Sequence, residues 1–288
     1  MIAVLSDLAE PFRLGLIQRA LLEALLVSAL TGPVGSLLVL RGLSFSGESL
    51  AHTVFPGIVT AYLLGASLLL GGIGMAGVTV LLTLILTRRQ DVLAEDTAVG
   101  VVFAGLFPAG VLLFALQANV DRSLDSFLFG DLLGVSGDDL VGSTLLILLG
   151  LAILAGTYRP LVATSYGRAF TSSLGYRPLV VDAVLLALVA LCMVVAMQAI
   201  GNVLASALLI VPAATSRLLS RRLLPMMLLA AALGGGACLG GIELSYWCGL
   251  AGGSAVVLCA AAAFAVTLGA RLLGGGLART PSGAAALP

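Results

Sequence analysis

The chain has 288 residues, of which 60% are hydrophobic and only 10% charged, with zero net charge and a mean hydropathy of +1.17. That balance leaves too little polar surface to coat a soluble globule of this size, so most of the chain must be solvated by lipid. All 14 cationic side chains are arginine; without lysine there is no GxxxxGK(S/T) phosphate loop, so another subunit must hydrolyse any ATP that drives the protein, and no basic patch points to nucleic acid.

Asp7, Glu10 and Arg13 precede the first apolar run, unlike a cleavable signal peptide, so that run is expected to stay in the mature protein. Arg19 and Glu23, one helical turn apart, are expected to neutralise each other near the start of the first span. Charge-free stretches then lie at 24–40, 53–87, 97–120, 140–158, 183–216, 223–242 and 244–270, against a need for about 20 apolar residues per helical span. Two of them, 53–87 and 183–216, are long enough for a pair of spans each. Breaks are expected between Gly65 and Gly74 and around Gln198, Gly201 and Asn202. The fold class is therefore an all-α membrane protein, a polytopic transmembrane helical bundle of about 8 to 9 spans. Strict alternation of apolar and polar residues is missing, which excludes a barrel.

Arginines gather at 88 and 89, at 159, 168 and 177, at 217, 221 and 222, and at 271 and 279, each cluster two spans from the next. All four clusters fit one side, the cytoplasm, while the aspartate-rich loop at 119–139 falls outside by parity. The side of the N-terminus stays open. The polar connection at 158–178, YRPLVATSYGRAFTSSLGYRP, fits a short helix outside the bilayer, either an ordinary interfacial helix or a docking surface for a cytoplasmic partner. Residues 274–288 are rich in Gly, Ala and Pro and are expected to be disordered. Cys192, Cys238, Cys248 and Cys259 form no CxxC pair and read as small buried hydrophobes.

The one histidine sits in RGLSFSGESLAHTVFPGIVTAYLLG at 41–65. A helix over 43–64 places Glu48 and His52 four apart on one face, with Ser44, Ser49 and Thr53 extending a polar stripe. Such a helix is about 33 Å long, which puts His52 near the bilayer midplane. Ionisable groups at that depth are costly and usually line an internal pathway, so both are expected to face the bundle interior. Pro56 cannot bond the carbonyl of residue 52 and is expected to kink the helix just past the histidine. A hydrogen-bonded structural pair is the plainer reading; a metal site is the sharper one. Imidazole plus carboxylate suits Zn²⁺ or Mn²⁺ rather than Cu(I), and two copies related by symmetry would supply four ligands.

Six stretches in order carry a resemblance: EPFRLGLIQRALLEALL, LRGLSFSGESLAHTVFPG, LDSFLFGDLLGVSGDDL, TSYGRAFTSSLG, VLASALLIVPAATSRLLS and GGSAVVLCAAAAF. In these the chain resembles the permease subunits of zinc and manganese ABC importers, those fed by a cluster-nine type metal-binding protein. The resemblance implies a permease domain over 1–273, a homodimer or a pair of similar permeases, two ABC ATPase subunits below and an extracytoplasmic metal-binding protein above. It implies no permanently bound cofactor, with Zn²⁺ or Mn²⁺ as the transported substrate and a lean to zinc. It makes Glu48 and His52 the metal residues, although many relatives carry aspartate at the position of Glu48. It also makes 158–178 the coupling region, with Arg168, Ala169 and Phe170 at the ATPase. The rival class is a proton-coupled secondary transporter using Glu48 and His52 as a relay; an intramembrane enzyme lacks a hydrolytic residue set.

Overall fold

The computed structural model describes residues 15–87, 95–116 and 137–273, which form twelve helices and no strand. They are α1 (Gly15–Arg41), α2 (Ser44–Thr53), α3 (Phe55–Leu63), α4 (Leu68–Thr87), α5 (Glu95–Ala115), α6 (Gly137–Gly156), α7 (Tyr158–Thr164), α8 (Arg168–Ser173), α9 (Pro178–Ile200), α10 (Asn202–Leu219), α11 (Leu223–Cys248) and α12 (Gly252–Leu273). Seven of them, α1, α4, α5 and α9 to α12, are long and apolar enough to cross a membrane; α6 makes an eighth when taken with α7, from which it is bent by 66°. Arg88, Arg89, residues 119–136 of the acidic loop and the tail at 274–288 lie outside the described residues. The second break expected from glycine is at Gly201, while the first, expected between Gly65 and Gly74, falls at 64–67, with Gly71, Gly72 and Gly74 inside α4.

Helix α1 is the hub, packed against α11, α10, α9 and α6. Of its most apolar stretch 72% is buried, as is 67% of that of α9, against 11% for α12. The core therefore lies between α1, α9 and α10, where Leu30, Leu37, Leu38, Leu185, Met193 and Leu208 pack together, and α12 lies at the rim. Some buried hydroxyls return to their own helix, as Ser36 Oγ does to the Gly32 carbonyl at 2.8 Å and Thr87 Oγ1 to the Thr83 carbonyl at 2.9 Å. This satisfies them where water cannot. Helices α3 and α4 approach so closely that a Cβ on Gly57 would overlap the Gly71 carbonyl oxygen, the small-residue packing by which membrane helices gain dispersion contacts.

Two polar contacts fix the direction of α1. Near its start Glu23, 1% exposed, accepts a hydrogen bond from Ser143 Oγ at 2.7 Å in the early part of α6. Arg19 is exposed and the ion pairs among the described residues do not include it, whereas the seam between α1 and α6 offers Glu23 a buried donor. At the other end Arg41 pairs with Asp182, the fifth residue of α9, and the second carboxylate oxygen of Asp182 lies 2.8 Å from Arg168 on α8. The end of α1 is thus level with α8 and the start of α9. Gly15 and the arginine-bearing segment from α7 to α9 therefore lie at opposite ends of α1.

Candidate metal site

Helix α2 has no side-chain cap at Leu43, and another helix supplies one. Asp96 in the first turn of α5 accepts from the Ser46 backbone N–H at 3.0 Å and from Ser46 Oγ at 2.7 Å, placing a carboxylate at the positive end of α2. The helix expected over 43–64 is broken at Val54, with α3 beginning at Phe55 and Pro56 in its first turn. The helix is therefore interrupted just past His52, where proline has no N–H to carry the α2 ladder onward.

On α2 the inward face is filled by Ser46, Ser49, Leu50 and Thr53, all buried. The expected inward stripe consequently splits: His52 is half-buried, and Glu48, one turn earlier, is exposed on the single chain. His52 rests against two phenylalanines of α5, with ring centroids 5.6 Å from Phe103 and 5.1 Å from Phe107, and those two rings stack on each other. Its Nδ1 lies 2.6 Å from Nδ2 of Asn202, the first residue of α10. Gly201, at φ +80°, takes the left-handed turn that ends α9 and starts α10 there. Asn202 is 1% exposed, and its carboxamide oxygen has no hydrogen-bond partner.

Sequence reasoning placed Gly201 and Asn202 at a chain break and did not connect them with His52; Phe103 and Phe107 it missed. The available signals were an asparagine within the long charge-free stretch at 183–216 and the one-turn spacing of the two phenylalanines. Among the described residues no three His, Cys, Asp or Glu side chains group closely enough to hold a metal. Cys192 and Cys238 are buried as expected, whereas Cys248 is exposed and Cys259 half-buried, because the end of α11 and α12 lie at the rim.

The 158–178 segment holds two short helices, α7 and α8, where one was expected. On α8, Ala169 and Phe170 are exposed, and the Phe170 ring lies 5.9 Å from that of Tyr166, 77% exposed. Arg168, by contrast, turns back to Asp182 and ties α8 to the bundle.

The family model for the ABC 3 transport family matches residues 13–270. The chain belongs to this family. It is a permease of the metal-importing ABC type and a multi-pass protein of the cell membrane. The permease is 33% identical to the manganese import system permease protein ScaB of Streptococcus parasanguinis over 254 residues, 87% of this chain and 89% of that one. It is 32% identical to a probable iron transport system membrane protein of Haemophilus influenzae over 261 residues, 91% of this chain and 96% of that one. Among solved structures it superposes on PsaBC from Streptococcus pneumoniae in complex with Fab with a TM-score of 0.78 and 30% identity, covering 93% of this chain and 95% of that one.

Proposed function

We propose that the permease imports a divalent first-row metal ion, manganese in the first instance, through a site made by Glu48 and His52. The observation that carries this reading is the pairing of a half-buried imidazole with a carboxylate one turn away, on the least apolar stretch of the bundle, in a member of a metal-importing family. Counting α2 and α3 as one crossing, that stretch is a ninth span.

Glu48 also speaks to the assembly. An acidic side chain held against hydrocarbon at the middle of a span costs about 2.5–3.5 kcal/mol on insertion scales. An exposed Glu48 therefore faces water or another subunit. A second copy of the permease across this face would bring a second carboxylate and imidazole, and two of each suit Mn²⁺ or Zn²⁺. The names of the two curated relatives, manganese and iron, turn the choice of substrate away from the zinc favoured by sequence alone.

The chain has no phosphate loop, so a separate ABC ATPase subunit would hydrolyse ATP, docked on Ala169 and Phe170 of α8, and an extracytoplasmic metal-binding protein would deliver the ion. The proton-coupled alternative draws no support from the bundle: Glu23 is engaged by Ser143, and Asp182 by two arginines. Competition in proteoliposomes holding the permease, its ATPase and the binding protein tests the substrate. ATP-dependent uptake of radiolabelled manganese is expected, displaced by unlabelled manganese at lower concentration than by zinc or ferrous iron. Uptake indifferent to ATP, or zinc displacing most effectively, would contradict the proposal.

A further inference from the structure

A neutral imidazole has one N–H and one lone pair, and which nitrogen holds which decides whether the ring ligates a metal. Around His52 the two nitrogens differ. Nδ1 is occupied by the Asn202 carboxamide at 2.6 Å, so a metal reaching the ring meets Nε2. With the amide NH₂ donating to Nδ1, the proton sits on Nε2 and no lone pair is left for a metal. In that orientation the amide oxygen is buried with no partner, an arrangement that costs about 1–3 kcal/mol. The two ends of a carboxamide have nearly the same shape, so half a turn about the last side-chain bond exchanges them with the imidazole ring in place. The oxygen then accepts from Nδ1–H, and Nε2 carries the lone pair.

We propose that Asn202 is the positioning residue for His52: its carboxamide oxygen accepts a hydrogen bond from Nδ1–H when metal is bound and so presents Nε2 to the ion. The inference rests on the reading of His52 as a ligand and adds to it a group from the junction of α9 and α10, 150 residues away in sequence. A metal-bound histidine usually donates its second N–H to a carbonyl or carboxylate, and loss of that partner costs about 10–100-fold in metal affinity or activity. The same fold-change is expected here.

Because the chain has one histidine, labelling histidine with heavy nitrogen leaves a single imidazole to follow by solid-state NMR of the full-length permease in lipid bilayers. Zinc alone serves as the probe, since it is diamagnetic and takes the same ligands. In the parent, zinc is expected to shift Nε2 and to leave the bound form with its proton on Nδ1. Asn202→Leu should weaken apparent zinc binding by about 10–100-fold and spread the bound form over both nitrogens. Asn202→Asp, nearly the same shape and acceptor-only, should keep the single Nε2-bound form, which separates positioning from a folding role. Zinc bound through Nδ1 in the parent, or parental affinity through Nε2 in Asn202→Leu, would overturn the inference and leave His52 as a ligand. A His52 signal unmoved by zinc in the parent would overturn that reading and this inference together.

Discussion

Replacing Asp182 with asparagine tests how α8 is held to the bundle. The carboxylate is 2% exposed and meets two guanidinium groups, that of Arg41 at 7% exposure and that of Arg168 at 30%. The two contacts are unequal. Removing one partner of a buried ion pair costs about 3–5 kcal/mol, because the other charge stays buried without compensation. Arg41 is in that position, and its Nη1 already lacks a hydrogen-bond partner. Arg168 is close to a third exposed, so water screens its charge and its share is no more than about 1 kcal/mol. Since asparagine keeps one acceptor oxygen for Arg41, Asp182→Asn is expected to cost about 3 kcal/mol. Reversible unfolding of the single and double variants in lipid–detergent micelles would show it, with a double-mutant cycle giving a coupling of at least about 2 kcal/mol for Arg41–Asp182 and under about 1 kcal/mol for Arg168–Asp182. A loss below about 0.5 kcal/mol in Asp182→Asn, or the larger coupling at Arg168, would refute this reasoning.

Gly57→Val should force α3 from α4, since the added atoms overlap the Gly71 carbonyl; the expected cost is about 1–3 kcal/mol, read as a lower melting temperature, and unchanged melting would count against the close seam. Phe170, 49% exposed on α8, is expected to dock the ATPase. Phe170→Asp should reduce co-purification of that subunit at least tenfold while the melting temperature of the permease holds, and undiminished co-purification would place docking elsewhere.

The helices were readable because lipid demands about 20 apolar residues per crossing and charges mark the ends. The breaks at Gly65 and Gly201 were readable for a local reason too, as only glycine adopts those positive φ angles without strain. What escaped the sequence is which faces meet. A membrane helix is apolar all round, so periodicity does not say that α5 turns Phe103 and Phe107 toward His52, nor that Asn202 comes to rest beside it. Nearness in sequence also misled. Arg19 beside Glu23 suggested a pair, yet Glu23 accepts from Ser143, 120 residues away. The inward stripe drawn through Glu48 and His52 failed at Glu48 because four buried neighbours on α2 already fill the inner face. Neither α2, of 10 residues, nor α3, of 9, is long enough to cross a membrane by itself, so a break inside one crossing hides that crossing from a reading by length.

Manganese uptake by proteoliposomes containing the complete transporter, compared for the parent, Glu48→Gln, Glu48→Asp, His52→Ala and a Glu48→Leu/His52→Leu double variant, tests the passage of metal through this pair most directly. His52→Ala and Glu48→Gln should each lower ATP-dependent uptake at least a hundredfold with the bundle still inserted and folded, because one removes a ligand and the other the charge that offsets a dehydrated cation. Glu48→Asp should retain uptake, and the double variant should have none. Uptake at the parental rate in the folded double variant would show that the metal does not pass through Glu48 and His52.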